Sequence, residues 1–321
     1  MSESSPAIEV SELAKWYGPP GTGVLAVDRV SFRVHQGEVF GFLGPNGAGK
    51  TTVVRMLTGI IDPDGGTAAI RGHDVRRESL AAREHLGIVP EQANVYPDLS
   101  VWQNVMLMAE LHAVPRRRRT QEGERLLQLL ALDDRKTHKA RTLSKGLRQR
   151  LMLCSALVSE PEILFLDEPT TGLDVHSARL IRDLVRDLNE RGLTVFLTTH
   201  NMGEAEELCQ RIAIIDKGRI AAIDTPDGLR RLVRASQYVQ VRWEGSEPPD
   251  TAVESLPGID RVTRRDGAWQ LYTASPGSVA VALAALADRN AWRVSELCTR
   301  QPSLEEVYLM LTGEGDQEAG L

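Results

Sequence analysis

Apolar and polar positions follow two rhythms through the first two thirds of the chain. Short apolar runs at 39–43, 163–166 and 195–199 have the length of buried strands, and each ends in polar residues. Between the last two, Leu180, Ile181, Leu184, Val185 and Leu188 recur at helical spacing, which makes one helix face apolar. This alternation predicts an α/β domain, a parallel sheet covered by helices, whose ligands sit at the carboxyl ends of the strands. Around residues 75–160 the strand signal fades. A helix over 100–112 opens with the capping box Ser100-x-x-Gln103, so an inserted helical subdomain is expected at about 93–160. Two apolar runs, 212–215 and 220–223, flank the turn Asp216-Lys217-Gly218 and predict a hairpin at the sheet's edge.

Near residue 232 the pattern changes. An alternating run at 238–243 precedes a Pro/Glu/Ser stretch, a short helix, and strands at 259–262 and 269–272. A helix over 279–287, a strand at 292–297 and a helix over 303–311 with the capping box Ser303-x-x-Glu306 complete the order βαββαβα. That order predicts a ferredoxin-like plait. The expected division is a flexible start at 1–7, a main domain at 8–232, a small α+β domain at 233–312 and a flexible tail at 313–321. The small domain carries no catalytic grouping, which makes it regulatory or structural.

Composition narrows the class. The 321 residues suffice for two domains, and 42% apolar with 26% charged residues is ordinary for a globular chain. A net charge of −6 gives no push towards nucleic acid. The longest nearly apolar stretch, 279–287, is far short of the roughly 20 residues that cross a bilayer. Residues 1–8 lack the basic and apolar blocks of an export signal. Cys154, Cys209 and Cys298 are scattered without metal-type spacing and read as packing residues in a reduced compartment. A soluble, cytoplasmic chain is expected.

The first chemical motif follows the apolar run at 39–43. Gly44-Pro45-Asn46-Gly47-Ala48-Gly49-Lys50-Thr51 fits the phosphate-loop pattern at every fixed position, in a strand–loop–helix setting. Its glycines let backbone N–H groups converge on phosphates, and the helix N-terminus adds partial positive charge. Lys50 is expected on the β- and γ-phosphates, Thr51 on Mg²⁺, and Thr52 beside neighbouring phosphate contacts. The loop alone marks a nucleotide binder; an Asn-Lys-x-Asp guanine reader is missing from the sequence, which argues against a GTPase. The second motif, Asp167-Glu168, ends the run at 163–166, so Asp167 can hold the Mg²⁺ shell and Glu168 can face the attacking water.

Leu143-Ser144-Lys145-Gly146-Leu147-Arg148-Gln149-Arg150, followed by Asp167-Glu168-Pro169-Thr170-Thr171-Gly172-Leu173-Asp174, resembles the signature and D-loop of ABC ATPases. The resemblance covers about residues 7–232. It implies that His200 is the switch histidine and a catalytic partner of Glu168, and that Tyr17 stacks on adenine, although the adjacent Trp16 is an alternative. It further implies that Ser144, Lys145, Gly146 and Leu147 act in trans on nucleotide bound by a second subunit, with Asp174 in the D-loop. Ser144 also reads as a plain helix N-cap, and both roles are compatible. One phosphate loop per chain then implies a homodimer binding two MgATP beneath separate membrane permeases, peripheral to the cytoplasmic face of the cell membrane.

The pattern departs from the family at Lys145 and Leu147, in the third and fifth signature positions. In Val89-Pro90-Glu91-Gln92, Glu91 rather than Gln92 stands in the usual Q-loop register, so either can serve ATP and Mg²⁺ there. Tyr96 and Trp102 stand in the region that docks membrane subunits in the family, and the run 116–119 reads as a solvated basic face. These variants and the closing Gln301-Pro302-Ser303-Leu304-Glu305-Glu306-Val307-Tyr308 resemble the drug-resistance exporter branch. The alternative class is a non-transport ABC ATPase of translation or DNA repair, which resembles two fused nucleotide domains or one split by a coiled coil.

Overall fold

A computed structural model describes residues 6–19, 23–92, 94–232, 237–245, 247–265 and 267–312. The chain divides into two compact units at Thr225 and Pro226. Most of the expected flexible start and the whole tail lie outside the described residues. Ala7 does not belong to a flexible start: it is buried, and its N–H donates to Val34 O at 2.8 Å.

The first unit holds two sheets. In one, β1 (Ile8–Tyr17) pairs antiparallel with β2 (Val24–Val34) and β4 (Gly65–Ile70), and the short β5 (His73–Asp74) follows β4. In the other, β3 (Val39–Leu43), β6 (Leu86–Val89), β7 (Ile163–Asp167), β8 (Thr194–Thr199) and β9 (Arg211–Asp216) run parallel. An antiparallel edge strand, β10 (Arg219–Asp224), completes the order β10-β9-β3-β8-β7-β6. The expected hairpin is β9–β10, with Lys217 at φ 46° and Gly218 at φ 79°, the pair of positive values that its tight turn requires.

β3, β7 and β8 are buried at every position, as strands covered on both faces must be. All five phenylalanines of the chain gather behind them. Phe196 stands at the centre, with ring centroids 5.2 to 5.9 Å from Phe165, Phe42, Phe40 and Phe32. Each buried ring contributes roughly 2–3 kcal/mol. The cluster joins both sheets and fixes the strands whose ends carry the polar motifs. Cys209 fills the space beside Gly41, where a Cβ would lie 2.6 Å from its Sγ. Burial pushes the thiols of Cys209 and Cys154 far up, in keeping with packing roles.

Helices α1 (Lys50–Leu57), α2 (Ser79–Glu84), α6 (Val175–Glu190) and α7 (Met202–Leu208) connect the strands. α3 (Val101–Leu111), α4 (Arg116–Leu129) and α5 (Lys145–Leu157) pack on one another between β6 and β7, inside the expected helical insertion. The Ser100–Gln103 capping box closes reciprocally at 2.8 and 3.1 Å. Arg118 pairs with Glu160, and Arg119 Nε donates to Val114 O at 2.6 Å, so the basic run is partly engaged.

The second unit begins with α8 (Pro226–Leu232), which packs on α11 (Leu304–Thr312). Between them stand β11 (Tyr238–Glu244), α9 (Asp250–Glu254), β12 (Arg261–Arg265), β13 (Ala268–Tyr272), α10 (Pro276–Arg289) and β14 (Arg293–Arg300). The sheet order β12-β13-β11-β14, antiparallel throughout, is that of the ferredoxin-like plait. Its core is Trp269 with Val239, Val241, Leu271, Val279 and Leu283.

Candidate active site

Three neighbouring strands of the parallel sheet end together, and each end delivers a polar group. β3 leads into the glycine loop, whose shape excludes side chains at two points. Gly49 sits at φ 105°, where L-residues are strained, and a Cβ on Gly44 would lie 2.3 Å from Ile215 O. Pro45, Asn46 and Gly47 form the exposed tip, Ala48 is buried, and Thr52 is half-buried in α1. Lys50 is buried; its ammonium donates to Gly44 O at 2.6 Å and Pro45 O at 3.1 Å.

The same ammonium lies 3.1 Å from Glu168 Oε1 at the end of β7. Buried charges need such partners, since an unpaired one costs several kcal/mol. Glu168 is 6% exposed and adopts φ 51°, a left-handed conformation that a side-chain-bearing residue holds at a cost of about 1–3 kcal/mol. Its N–H donates to both O and Oγ1 of Thr198, at 3.1 and 3.2 Å. Its Oε2 accepts from Thr171 Oγ1 at 2.9 Å and lies 2.8 Å from His200 Nδ1. Its Oε1 accepts no aligned hydrogen bond among the described residues, despite the nearby ammonium. The ion pair with Lys50 is what faces this oxygen, so it becomes available to another donor when the ammonium turns away.

Asp167 Oδ1 accepts from Thr198 Oγ1 at 2.5 Å and from Thr51 Oγ1 at 3.3 Å. A hydroxyl and a carboxylate oxygen form a hard donor pair that suits Mg²⁺, an ion that keeps waters and phosphate oxygens as its remaining ligands.

Sequence reasoning overlooked a buried carboxylate behind this pair. Glu204 stands in the first turn of α7, where its backbone N–H donates to the capping Asn201 Oδ1 at 3.0 Å, and its side chain accepts from Thr170 Oγ1 at 2.7 Å. Burial raises its pKa above the ordinary carboxylate value, Thr199 and Thr170 offset part of that, and the charge of Glu168 adds to it. The unusual threonines at the end of an otherwise apolar strand, Thr198 and Thr199, were the available signal.

The remaining expected residues lie further along the chain. Ser144 caps α5 by accepting from Leu147 N–H at 3.3 Å. Lys145 is exposed, Gly146 is buried and Leu147 is half-buried. Asp174 caps α6, with Ser177 N–H at 2.8 Å, and this bond holds its carboxylate below the usual range. Glu91 and Gln92 are both exposed; with Arg141, Lys145, Arg148 and Thr171 they line a cavity of about 590 Å³. Tyr17 and Trp16 are 42% and 46% exposed, so neither is spent on the core.

Residues 27–171 match the family model described as ABC transporter. The chain is 36% identical over 309 residues to the Nod factor export ATP-binding protein I of Rhizobium etli, covering 96% of this chain and 93% of that protein. It is 37% identical over 309 residues to a daunorubicin resistance ATP-binding protein of Streptomyces coeruleorubidus, covering 96% of each. A dimeric ATP-binding cassette, solved in a post-hydrolysis state with ADP and Pi, superposes with a TM-score of 0.63 and 26% identity, over 68% of this chain and 98% of that one. This chain belongs to the ABC transporter family, as an ATP-binding subunit that hydrolyses ATP.

Proposed function

We propose that this subunit powers export of a small molecule, drug or lipid-like substrate through separate membrane permeases, hydrolysing ATP at sites completed by a second copy. The observation that carries the reading is the meeting of Lys50, Thr51, Asp167, Glu168 and His200 at one strand edge through contacts of 2.8 to 3.3 Å. Lys50 exchanges Glu168 for the γ-phosphate as its anionic partner. Thr51 and Asp167, with Gln92 or Glu91 as a further ligand, would hold Mg²⁺, which would neutralise charge at the phosphates. Glu168 takes the proton of the attacking water through Oε1, which Lys50 leaves as it turns to the phosphate, while His200 orients the carboxylate from Oε2. Tyr17 or Trp16 offers a face for adenine. Ser144 to Leu147 and Asp174 complete the partner's site.

Support for export comes from relatives that match nearly the whole chain, a Nod factor export protein and a daunorubicin resistance protein. The permease docks at a cavity of about 580 Å³ lined by Ile60, Ile61, Val95, Tyr96, Met108 and Met152. Ile60 and Tyr96 are 63% and 48% exposed there, an apolar rim suited to an inserted helix. Trp102 is half-buried under Lys136, whose Nζ lies 4.0 Å above the ring, so Tyr96 is the better anchor. No described helix is long and apolar enough to cross a membrane. As an ATP-binding subunit of this family, its proposed station is the cytoplasmic face, bound to its permease. Vesicles carrying the permease with this subunit should show MgATP-dependent dye or drug transport; transport without the subunit, or none with both, counts against export.

A further inference from the structure

Glu168 is held by Thr171, and Thr171 is held by the signature motif of the same chain. Lys145 Nζ donates to Thr171 O at 2.7 Å, while Thr171 Oγ1 donates to Glu168 Oε2 at 2.9 Å. The ammonium reaches that carbonyl by lying across Gly172, where a Cβ would stand 2.4 Å from Nζ. A second contact presses the same two segments together. Gly146 lies against Ser177, whose Oγ would be 2.6 Å from a Cβ there, and Ser177 is bound to Asp174 through both N and Oγ. The signature and D-loop segments of one subunit thus form a single packed corner.

We propose that Lys145 is a positioning residue for Glu168 of its own subunit. The motif that this subunit presents to its partner's nucleotide thereby also sets the geometry of its own hydrolytic carboxylate, through Lys145, Thr171 and Glu168. A short side chain at position 145 leaves the carbonyl of Thr171 to solvent, and the residue whose hydroxyl orients Glu168 loses one of its holds, keeping its N–H bond to Glu168 O at 3.2 Å. The relay links the two sites of a dimer: an α5 drawn onto the partner's γ-phosphate carries Lys145 with it, and the shift reaches Glu168 through only two hydrogen bonds. The inference rests on the reading of hydrolysis at sites shared across a dimer.

Mixed dimers separate this cis role from any contact that Lys145 makes across the interface. In one mixture, Lys145→Met is placed on the chain with intact Glu168 and the partner carries Glu168→Gln, so the only active carboxylate sits beside the altered lysine. In the reverse mixture, both substitutions share one chain and the active carboxylate faces Met across the interface. The relay predicts a fall of about five- to tenfold in kcat in the first arrangement, with KM for ATP unchanged. Lys145→Arg, which keeps a cationic donor, should restore at least half of the rate. A cis fall of less than twofold overturns the proposal, whatever the reverse arrangement shows. Thr171→Val in the first arrangement, with Lys145 intact, must lower kcat to a similar degree; an unchanged rate also overturns it. Hydrolysis by the Glu168→Gln homodimer would count against the role of Glu168, not against the relay.

Discussion

The two units bury different things. Among the described residues, thirteen polar or charged side chains are buried; twelve belong to the first unit, including Glu38, Lys50, Asp167, Glu168 and Glu204, and only Thr273 to the second. The second unit buries Trp269 and aliphatic residues and keeps its charges outside, as stability alone favours. The first unit places five ionisable groups where water is scarce, and two of them, Lys50 and Glu168, lie 3.1 Å apart beside Asp167 at the end of β7. Burying charge is costly, so its repetition in one place marks where the first unit keeps its chemistry.

The largest break in this contrast should come from Lys50→Met. It removes the phosphate cation and leaves Glu168 buried without its ammonium, so ATP affinity should fall by about two to three orders of magnitude in nucleotide titration. Next are the two cores, tested as a pair in the full chain. Phe196→Ala and Trp269→Ala should each cost about 3–5 kcal/mol in denaturant unfolding of their own unit. Only Phe196→Ala should also lower ATP affinity, because Phe196 lies in β8, which ends at the site. Loss of ATP binding in Trp269→Ala would break the contrast.

The smallest effect is the pH dependence of Glu204. Its folded pKa is raised above the ordinary 4.5 by burial, so the folded state holds a proton that the unfolded state has already released. Stability from this residue is therefore complete below pH 4.5 and is lost as pH rises through the folded pKa. Glu204→Gln keeps the acceptor for Thr170 and removes that loss. Its melting temperature relative to the parent should rise with pH across this window; a pH-independent difference would exclude buried ionisation.

The phosphate loop, the Asp167-Glu168 pair and His200 were legible because rare residue types stand at strand ends with fixed spacing. The order of elements was legible from periodicity, including the plait of the second unit. Contacts across the sequence were not. The hold of Thr198 on Asp167 spans 31 positions and that of Lys145 on Thr171 spans 26, and no local pattern encodes either. The phenylalanine cluster escaped for the same reason, since its members lie on four strands. Ala7 escaped because it has no periodic signature; its burial and its bonds with Val34 O and Arg71 N–H join it to residues far along the chain. Glu91 and Gln92 both stayed open because they sit side by side on an exposed loop, where register has no burial to fix it.

The central claim is that Glu168 drives hydrolysis at a site that two copies complete. Glu168→Gln should be measured with MgATP for mass by light scattering and for phosphate release in the same sample. The account predicts a particle of twice the 35.4 kDa chain mass with ATP, a monomer with ADP, and turnover lowered by a factor of about 10²–10⁴. Hydrolysis at the parent rate, or a monomer throughout with ATP bound, would contradict it.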